Sequence, residues 1–282
     1  MGKSEILENK EFVYYPVRKP RFEFSEPVAK HWLGDSAYRT HILNAWTLIF
    51  PDGERYFIRT VQPFLSKIKD PRVLRNAKAF IGQEAQHAGE HKKFWRNLED
   101  QGYRIKGFIK FFNKFAFGFL EKIAPKRSNL SVTAGLEHYT SLIATVGLGL
   151  GVLKQADPQM RKLFEWHAAE EIEHKSAAYD VYLDTGGGYF RRVIGMIVAS
   201  ILFWSFTFLG AEMLLWQDGL TFNWKVRRDA FEFIFWKEKV FFHGIFAFLK
   251  YFHPRFHPEQ EDNYHLSREI FTSPEHQYKE VA

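Results

Sequence analysis

The chain of 282 residues contains no cysteine, and 39 Lys+Arg against 33 Asp+Glu leave a formal charge of +6. The missing thiols exclude disulfide staples, thiolate zinc sites, iron–sulfur clusters and a cysteine nucleophile, so any metal must be held by imidazole, carboxylate, carbonyl or water. The positive balance is mild and spread out; it favours an anionic membrane surface more than a nucleic acid, and no basic reading helix is present.

The first residues, MGKSEILENKEF, carry acids and no apolar run, so no secretory leader is expected. Met1-Gly2 with Ile6 lacks the Ser or Thr of a myristoylation signal. Pro16, Pro20 and Pro27 make residues 1–35 an irregular or extended arm. Helical patterning begins at Ser36, runs to Phe50, stops at Pro51-Asp52-Gly53, and resumes from Glu54 towards Lys69. Asp70-Pro71 is a cap and first-turn pair that opens a helix reaching Asp100, ahead of Gly102. A basic, Phe-rich stretch follows from Gly107 to Ile123 and ends at Pro125. Ser128 is placed to cap a helix to about Gln155, and Asp157-Pro158 opens another that ends before Gly186-Gly187-Gly188. Few segments alternate with period two, so little sheet is expected.

Beyond the glycine run, Val193 to Ala211 is nineteen residues without a formal charge, the lower edge of a bilayer span. It reads as a helix packed on the preceding bundle or in a homodimer interface, with membrane insertion or surface docking as the alternative. Phe231 to Phe252 is interrupted by Lys237, Glu238, Lys239 and His243 and does not read as an ordinary span. The tail after His253 reads as polar and irregular. The expected organisation is an arm (1–35), an all-α bundle (36–185) and an aromatic-rich helical extension (186–282). The expected location is the cytoplasm, with membrane association left open.

Two Glu-x-x-His pairs, Glu84/His87 and Glu171/His174, fall within the two Asp-Pro-initiated helices. Spacing of three puts both side chains of a pair on one helix face. That face is the apolar one: Val73, Ala77, Phe80, Glu84, His87, His91, Phe94 and Leu98 keep three-four spacing, as do Met160, Phe164, His167, Glu171, His174, Ala178 and Val181. A carboxylate on a core stripe costs several kcal/mol unless it is compensated. Two such helices therefore point to a cation. A di-metal carboxylate bundle needs one more glutamate from each of two further helices. Glu54 and Glu137 stand in the right order, giving Glu, Glu-x-x-His, Glu, Glu-x-x-His. Glu54 would also suit a helix start, and Glu137 a satisfied buried acid. His91 extends the ligand stripe by a turn and is expected behind the ligands or facing solvent rather than as a ligand. Glu90, Glu170 and Glu173 are expected as solvated charges on neighbouring faces.

On these residues the chain resembles the ferritin-like di-iron superfamily and, within it, a bacterial family labelled predicted metal-dependent hydrolases. The similarity runs from Val17-Arg18-Lys19 through Tyr179 and takes in His31-Trp32, Phe50-Pro51-Asp52-Gly53-Glu54-Arg55, Gly82-Gln83-Glu84-Ala85-Gln86-His87 and Glu170-Glu171-Ile172-Glu173-His174-Lys175. His167-x-x-x-Glu171-x-x-His174 is also similar to the ligand spacing of arylamine N-oxygenases, which implies His167 as a seventh ligand beside Glu54, Glu84, His87, Glu137, Glu171 and His174. The resemblance implies two metal ions, iron before manganese or zinc, with Glu84 and Glu171 bridging and Glu54 and Glu137 terminal. The first expectation is an oxygenase or oxidase that activates O2 and draws electrons from a partner reductase, since no dinucleotide or phosphate-loop motif is present. A di-metal hydrolase using metal-activated water is the alternative, and a non-catalytic metal-holding bundle the third reading. The Phe-rich segments fit a small apolar substrate, an acyl chain, terpenoid or aromatic.

Overall fold

The structure, a computed structural model, describes residues 13–281; the leader and acylation readings of the N-terminus lie outside them. The described chain is predominantly helical, as its periodicity implies. Its only sheet among those residues is a two-stranded antiparallel ribbon of β1 (Val17–Lys19) and β2 (Lys279–Val281), with Arg18 opposite Glu280.

Helix α1 (Ala37–Val61) starts at Ser36, whose hydroxyl accepts from the Arg39 backbone N–H. It does not stop at Pro51-Asp52-Gly53. A proline inside a helix removes one hydrogen bond and leaves the carbonyl four residues earlier without its partner, at a cost of about 3 kcal/mol. That carbonyl belongs to Thr47, and the Trp95 indole N–H donates to it at 2.8 Å. The replacement donor comes from another helix, which local sequence does not reveal. Glu54 therefore lies well inside a helix and not at a helix start, so the dipole reading of it fails.

Helix α2 (Pro71–Asp100) has the predicted Asp70 cap, and its stripe from Val73 to Leu98 is buried throughout, carboxylate and imidazoles included. Helix α3 (Lys106–Phe112) continues through a π-helical stretch, Asn113–Leu120, to Ile123. Helix α4 (Lys126–Gly149) has Pro125 at its N-cap and begins two residues before Ser128, which is not its cap; Pro125 sets the start. It ends short of Gln155 because Gly151 turns left-handed at φ 63°. Helix α5 (Pro158–Glu173) breaks at His174–Ser176 before α6 (Ala177–Asp184), so the second stripe is not one helix.

Helices α1 and α2 pack as a pair, α4 packs on α1, α5 and α6, and α6 packs on α2. The long helix α7 (Tyr189–Gln217) lies across α1 and α4. Its approach to α4 needs glycine: a Cβ on Gly195 would lie 2.6 Å from the Ser131 carbonyl oxygen, and one on Gly135 would lie 3.1 Å from the Met196 Cα. Among the described residues α7 is the one helix long and apolar enough to cross a membrane, but one face is core, with Met196, Ala199, Phe206 and Leu214 buried. Helices α8 (Trp224–Phe231) and α9 (Val240–Lys250) follow, joined by a π turn at Glu232–Trp236.

The tail is not irregular. Phe256, His257, Asn263 and His276 are buried, and helix α10 (Tyr264–Thr272) packs on α5. Its anchors are long-range: the Lys175 ammonium donates to the Glu261 carbonyl and the Asn263 side chain, both at 2.6 Å. A polar tail with few apolar residues gives no periodic signal, and its order comes from contacts with residues some ninety positions away.

Candidate metal centre

The structure brings all seven sequence-derived residues to one buried point between α1, α2, α4 and α5. Glu54, His87 and His167 form one group and Glu84, Glu171 and His174 a second; in each, the donor atoms lie within 4.8 Å of one another. Glu137 joins the second group, its carboxylate 3.2 Å from His174 Nε2. Glu171 faces both groups: Oε1 is 2.8 Å from His167 Nε2, and Oε2 is 3.5 Å from His174 Nε2. Glu84 Oε1 likewise lies 3.6 Å from His87 Nδ1 and 3.2 Å from His174 Nε2.

These contacts are not a satisfied polar network. Among the described residues, both oxygens of Glu54, Glu84 and Glu137, one of Glu171, His87 Nδ1 and His174 Nε2 have no partner that meets hydrogen-bond geometry. Native interiors rarely leave such groups unpaired, because each costs about 1–3 kcal/mol and more when charged. Here the orphaned atoms converge: oxygens of Glu84, Glu137 and Glu171 all crowd the single His174 Nε2, at 3.2, 3.2 and 3.5 Å. Electrostatics gives the same answer. Burial first, and then the charges of Glu171 and Glu137, push Glu54 well above the ordinary carboxylate range; burial and the same pair of neighbours in the other order do so for Glu84. Glu137 is pushed up to about 7 by burial and Glu171. Burial opposes charge on Glu171 and His174 too. Their mutual attraction outweighs it, holding Glu171 well below its usual range and raising His174 to about 10. One ion pair thus serves four carboxylates. The donor set fits a compact charge of about two divalent ions, and thiolate is not needed.

A surrounding layer fixes the imidazoles. His87 Nε2–H donates to Glu170 at 3.0 Å, leaving Nδ1 turned to the centre. His174 Nδ1–H donates to the Gln83 side-chain oxygen at 2.9 Å, leaving Nε2 inward. His167 Nδ1 meets His91 Nε2 at 2.6 Å, and His91 Nδ1 reaches the Thr47 hydroxyl at 3.4 Å. His91 thus stands behind His167, outside the two groups. Burial keeps His87 and His167 neutral, with pKa values drawn down to about 3 and 4.

Glu170 is not a solvated charge. It is buried, and Arg18, delivered by β1, donates to it at 3.2 Å and to Glu173 at 2.7 Å. Glu173 in turn accepts from Gln83, and Glu90 is buried against the Phe22 N–H and Lys93. These acids occupy the next helix positions beside the stripe, where an arm of the chain and not water covers them. Arg18, Gln83, Thr47 and Glu170 as supports were not deduced from the sequence, although three of the four stand in the motif blocks quoted above.

A cavity of about 390 Å³ reaches the centre at Glu54, His167 and Glu171, walled by Phe50, Phe57, Phe117 of the π-helical stretch after α3, and Leu202 of α7. A π segment beside a site is a common association. A larger, open cleft of about 680 Å³ lies between Asp52, Arg59, Asn113 and Lys126 and touches none of the seven residues. A third His/Asp group, His31, His41 and Asp218, is separate. Its carboxylate is already matched by the Lys30 ammonium at 2.7 Å and the Tyr103 hydroxyl at 2.9 Å.

A family model described as "Predicted metal-dependent hydrolase" matches residues 16–262. No curated protein and no solved structure matches the chain. The family match overturns the expectation of an O2-activating oxygenase or oxidase, and with it the need for O2 and a reductase. The physical reason for the error is that Glu/His spacing specifies a cage for ions; it does not specify whether those ions change oxidation state.

Proposed function

The chain belongs to the family of predicted metal-dependent hydrolases, and from that membership together with the geometry of the centre we propose a di-metal hydrolase that cleaves its substrate with a metal-activated water. The observation that carries this reading is the convergence of unpartnered buried carboxylate and imidazole atoms on two adjacent points at the end of an open cavity. We read residues 36–185 as a ferritin-like four-helix arrangement, supported by the order Glu54, Glu84/His87, Glu137, Glu171/His174 on four mutually packed helices, with 186–282 as a covering extension.

Glu54, His87 and His167 would hold one ion and Glu137 and His174 the other, with Glu84 and Glu171 shared. Mixed carboxylate and imidazole donors suit zinc, manganese or ferrous iron, and hydrolysis uses none of them as a redox centre. Bound there, divalent ions supply Lewis acidity and lower the pKa of water to near neutrality. The protein's own part is positioning and proton handling. Glu170 and Gln83 orient His87 and His174, an arrangement whose loss typically costs 10–100-fold in metal affinity or activity. Phe50 and Phe57 exclude bulk water from the cavity. Glu54, Glu171 and His167 line its inner end, so the scissile carbonyl would lie against them. The water oxygen would bond to the carbonyl carbon as the bond to the leaving group breaks, and a proton given up by that water would pass to the leaving atom.

The test is chelation followed by titration with zinc or manganese. Metal-dependent cleavage of a soluble short-chain ester by wild type, absent in Glu171→Ala, supports the reading. A folded wild type that takes up metal and cleaves no ester, amide or phosphoester contradicts it.

A further inference from the structure

The outer end of the cavity is formed by Leu120, Ile123, Ile194 and Val198, with Glu121 and Arg191 beside them. Ile123 and Ile194 are 64% and 61% exposed. A mouth facing water would leave such residues at its rim without a partner. They continue into a broader apolar face. Phe111, Phe115 and Phe119 are exposed at four-residue spacing along α3 and its π extension, and Ile197, Ile201 and Phe208 are exposed on the outer side of α7. The two stripes adjoin, because Phe206 of α7 sits 5.9 Å from Phe111 and 6.1 Å from Phe115. Phe246 and Leu249 are also exposed, on α9. Soluble monomers rarely expose contiguous apolar surface on this scale without a partner.

Charge identifies the partner. Residues 106–127 carry six Lys/Arg and one acid, and that acid, Glu121, is paired with Arg59 at 2.7 Å. Lys110, Lys114 and Lys122 are exposed next to the Phe stripe. Aromatic residues backed by lysines match the acyl and phosphate layers of an anionic leaflet, the lysine stems lying along the apolar surface with their ammonium groups at headgroup level. A second copy docked about a twofold axis would instead bring the same lysines face to face. Helix α7 lies on the leaflet in this arrangement and does not cross it, because its other face is packed on α1 and α4 and carries Arg192, buried and donating to the His253 carbonyl at 2.8 Å.

We propose that the protein docks on an anionic membrane leaflet through the outer faces of α3, α7 and α9, and that the cavity takes the acyl chain of a lipid ester from that leaflet, with its carbonyl at the Glu54–Glu171 end. The substrate assignment rests on the hydrolytic reading of the centre; the docking and the chain site do not. Hydrolysis would join the water oxygen to the acyl carbon, break the ester C–O bond and place a proton on the departing alkoxide, releasing a fatty acid and an alcohol.

Flotation with phosphatidylcholine vesicles, with and without phosphatidylglycerol, tests the docking. Wild type is expected on the anionic vesicles, and Ile197→Glu/Ile201→Glu should bind about tenfold less or weaker still while keeping wild-type metal content and thermal midpoint, since each substitution removes exposed apolar surface from the contact and sets a negative charge against the leaflet. A phosphatidylcholine with a photoreactive group at the end of one acyl chain should cross-link within residues 116–120 or 194–202, whether or not it is cleaved. Metal-dependent cleavage of a soluble short ester without vesicle binding or cross-linking overturns this inference and leaves the hydrolase standing. Binding and cross-linking without cleavage of any ester overturns the hydrolytic reading and keeps the docked chain site. A two-chain species in solution that the double variant converts to one chain overturns the membrane as occupant.

Discussion

Two clusters among the described residues bring several histidine and carboxylate groups within ligand distance, and only one leaves its carboxylates unmatched. At His31, His41 and Asp218 the single carboxylate meets Lys30, Tyr103 and both imidazoles, and these hydrogen bonds hold its pKa down against burial. At the central site four carboxylates share one protonated imidazole, and their oxygens are left over. Proximity of ligand-type residues is therefore a weak criterion. What discriminates is whether the buried charge already has a counter-charge, since an uncompensated charge in an interior costs several kcal/mol.

Substitutions at the two clusters should have contrasting effects on metal content. The largest effect is expected for Glu171→Ala or Glu84→Ala, which remove a carboxylate shared by both groups: elemental analysis should show metal content falling from about two ions per chain to near none. Asp218→Asn should leave metal content untouched, and a loss of metal there would collapse the distinction between the clusters. Next come the supports. Glu170→Gln and Gln83→Leu each leave the donor set intact but release an imidazole, so calorimetric metal affinity should fall about 10–100-fold.

The pH dependence follows from the same imbalance. Glu137, raised to about 7, holds a proton below that pH that an ion must displace; Glu54 and Glu84, pushed well above the ordinary carboxylate range, and His174, raised to about 10, hold others. Affinity should therefore rise with pH, by about tenfold per unit for each displaced proton, more steeply below about 7 than above it. His87 and His167 are already neutral there and contribute nothing to the slope. Calorimetry in buffers of different ionisation enthalpy would count the protons. The smallest effects are structural: Asp218→Asn should lower stability by about 1–3 kcal/mol, and Trp95→Phe, which strips the donor from the Thr47 carbonyl above Pro51, by about 1 kcal/mol, both read by denaturant titration.

The central residues were legible because a helix period and a polar interruption of its core stripe are both local signals. Glu84, His87, Glu171 and His174 announce themselves as charged positions on a buried face, and Glu137 stands out in a segment with few other acids. The continuity of α1 through Pro51 was not legible, because the donor that replaces the lost hydrogen bond sits on α2. Nor were the anchoring of the tail by Lys175 or the burial of Glu170 under Arg18, each made by residues far apart in the chain. The reaction was the part least available from spacing: the same cage serves redox and hydrolytic ions.

The most direct measurement is metal stoichiometry coupled to turnover. Chelated protein titrated with zinc or manganese while a soluble ester is followed should gain activity up to two ions per chain and no further, with Glu171→Ala silent throughout. A folded wild type that binds no divalent ion, or that cleaves the ester equally well without one, would contradict the account.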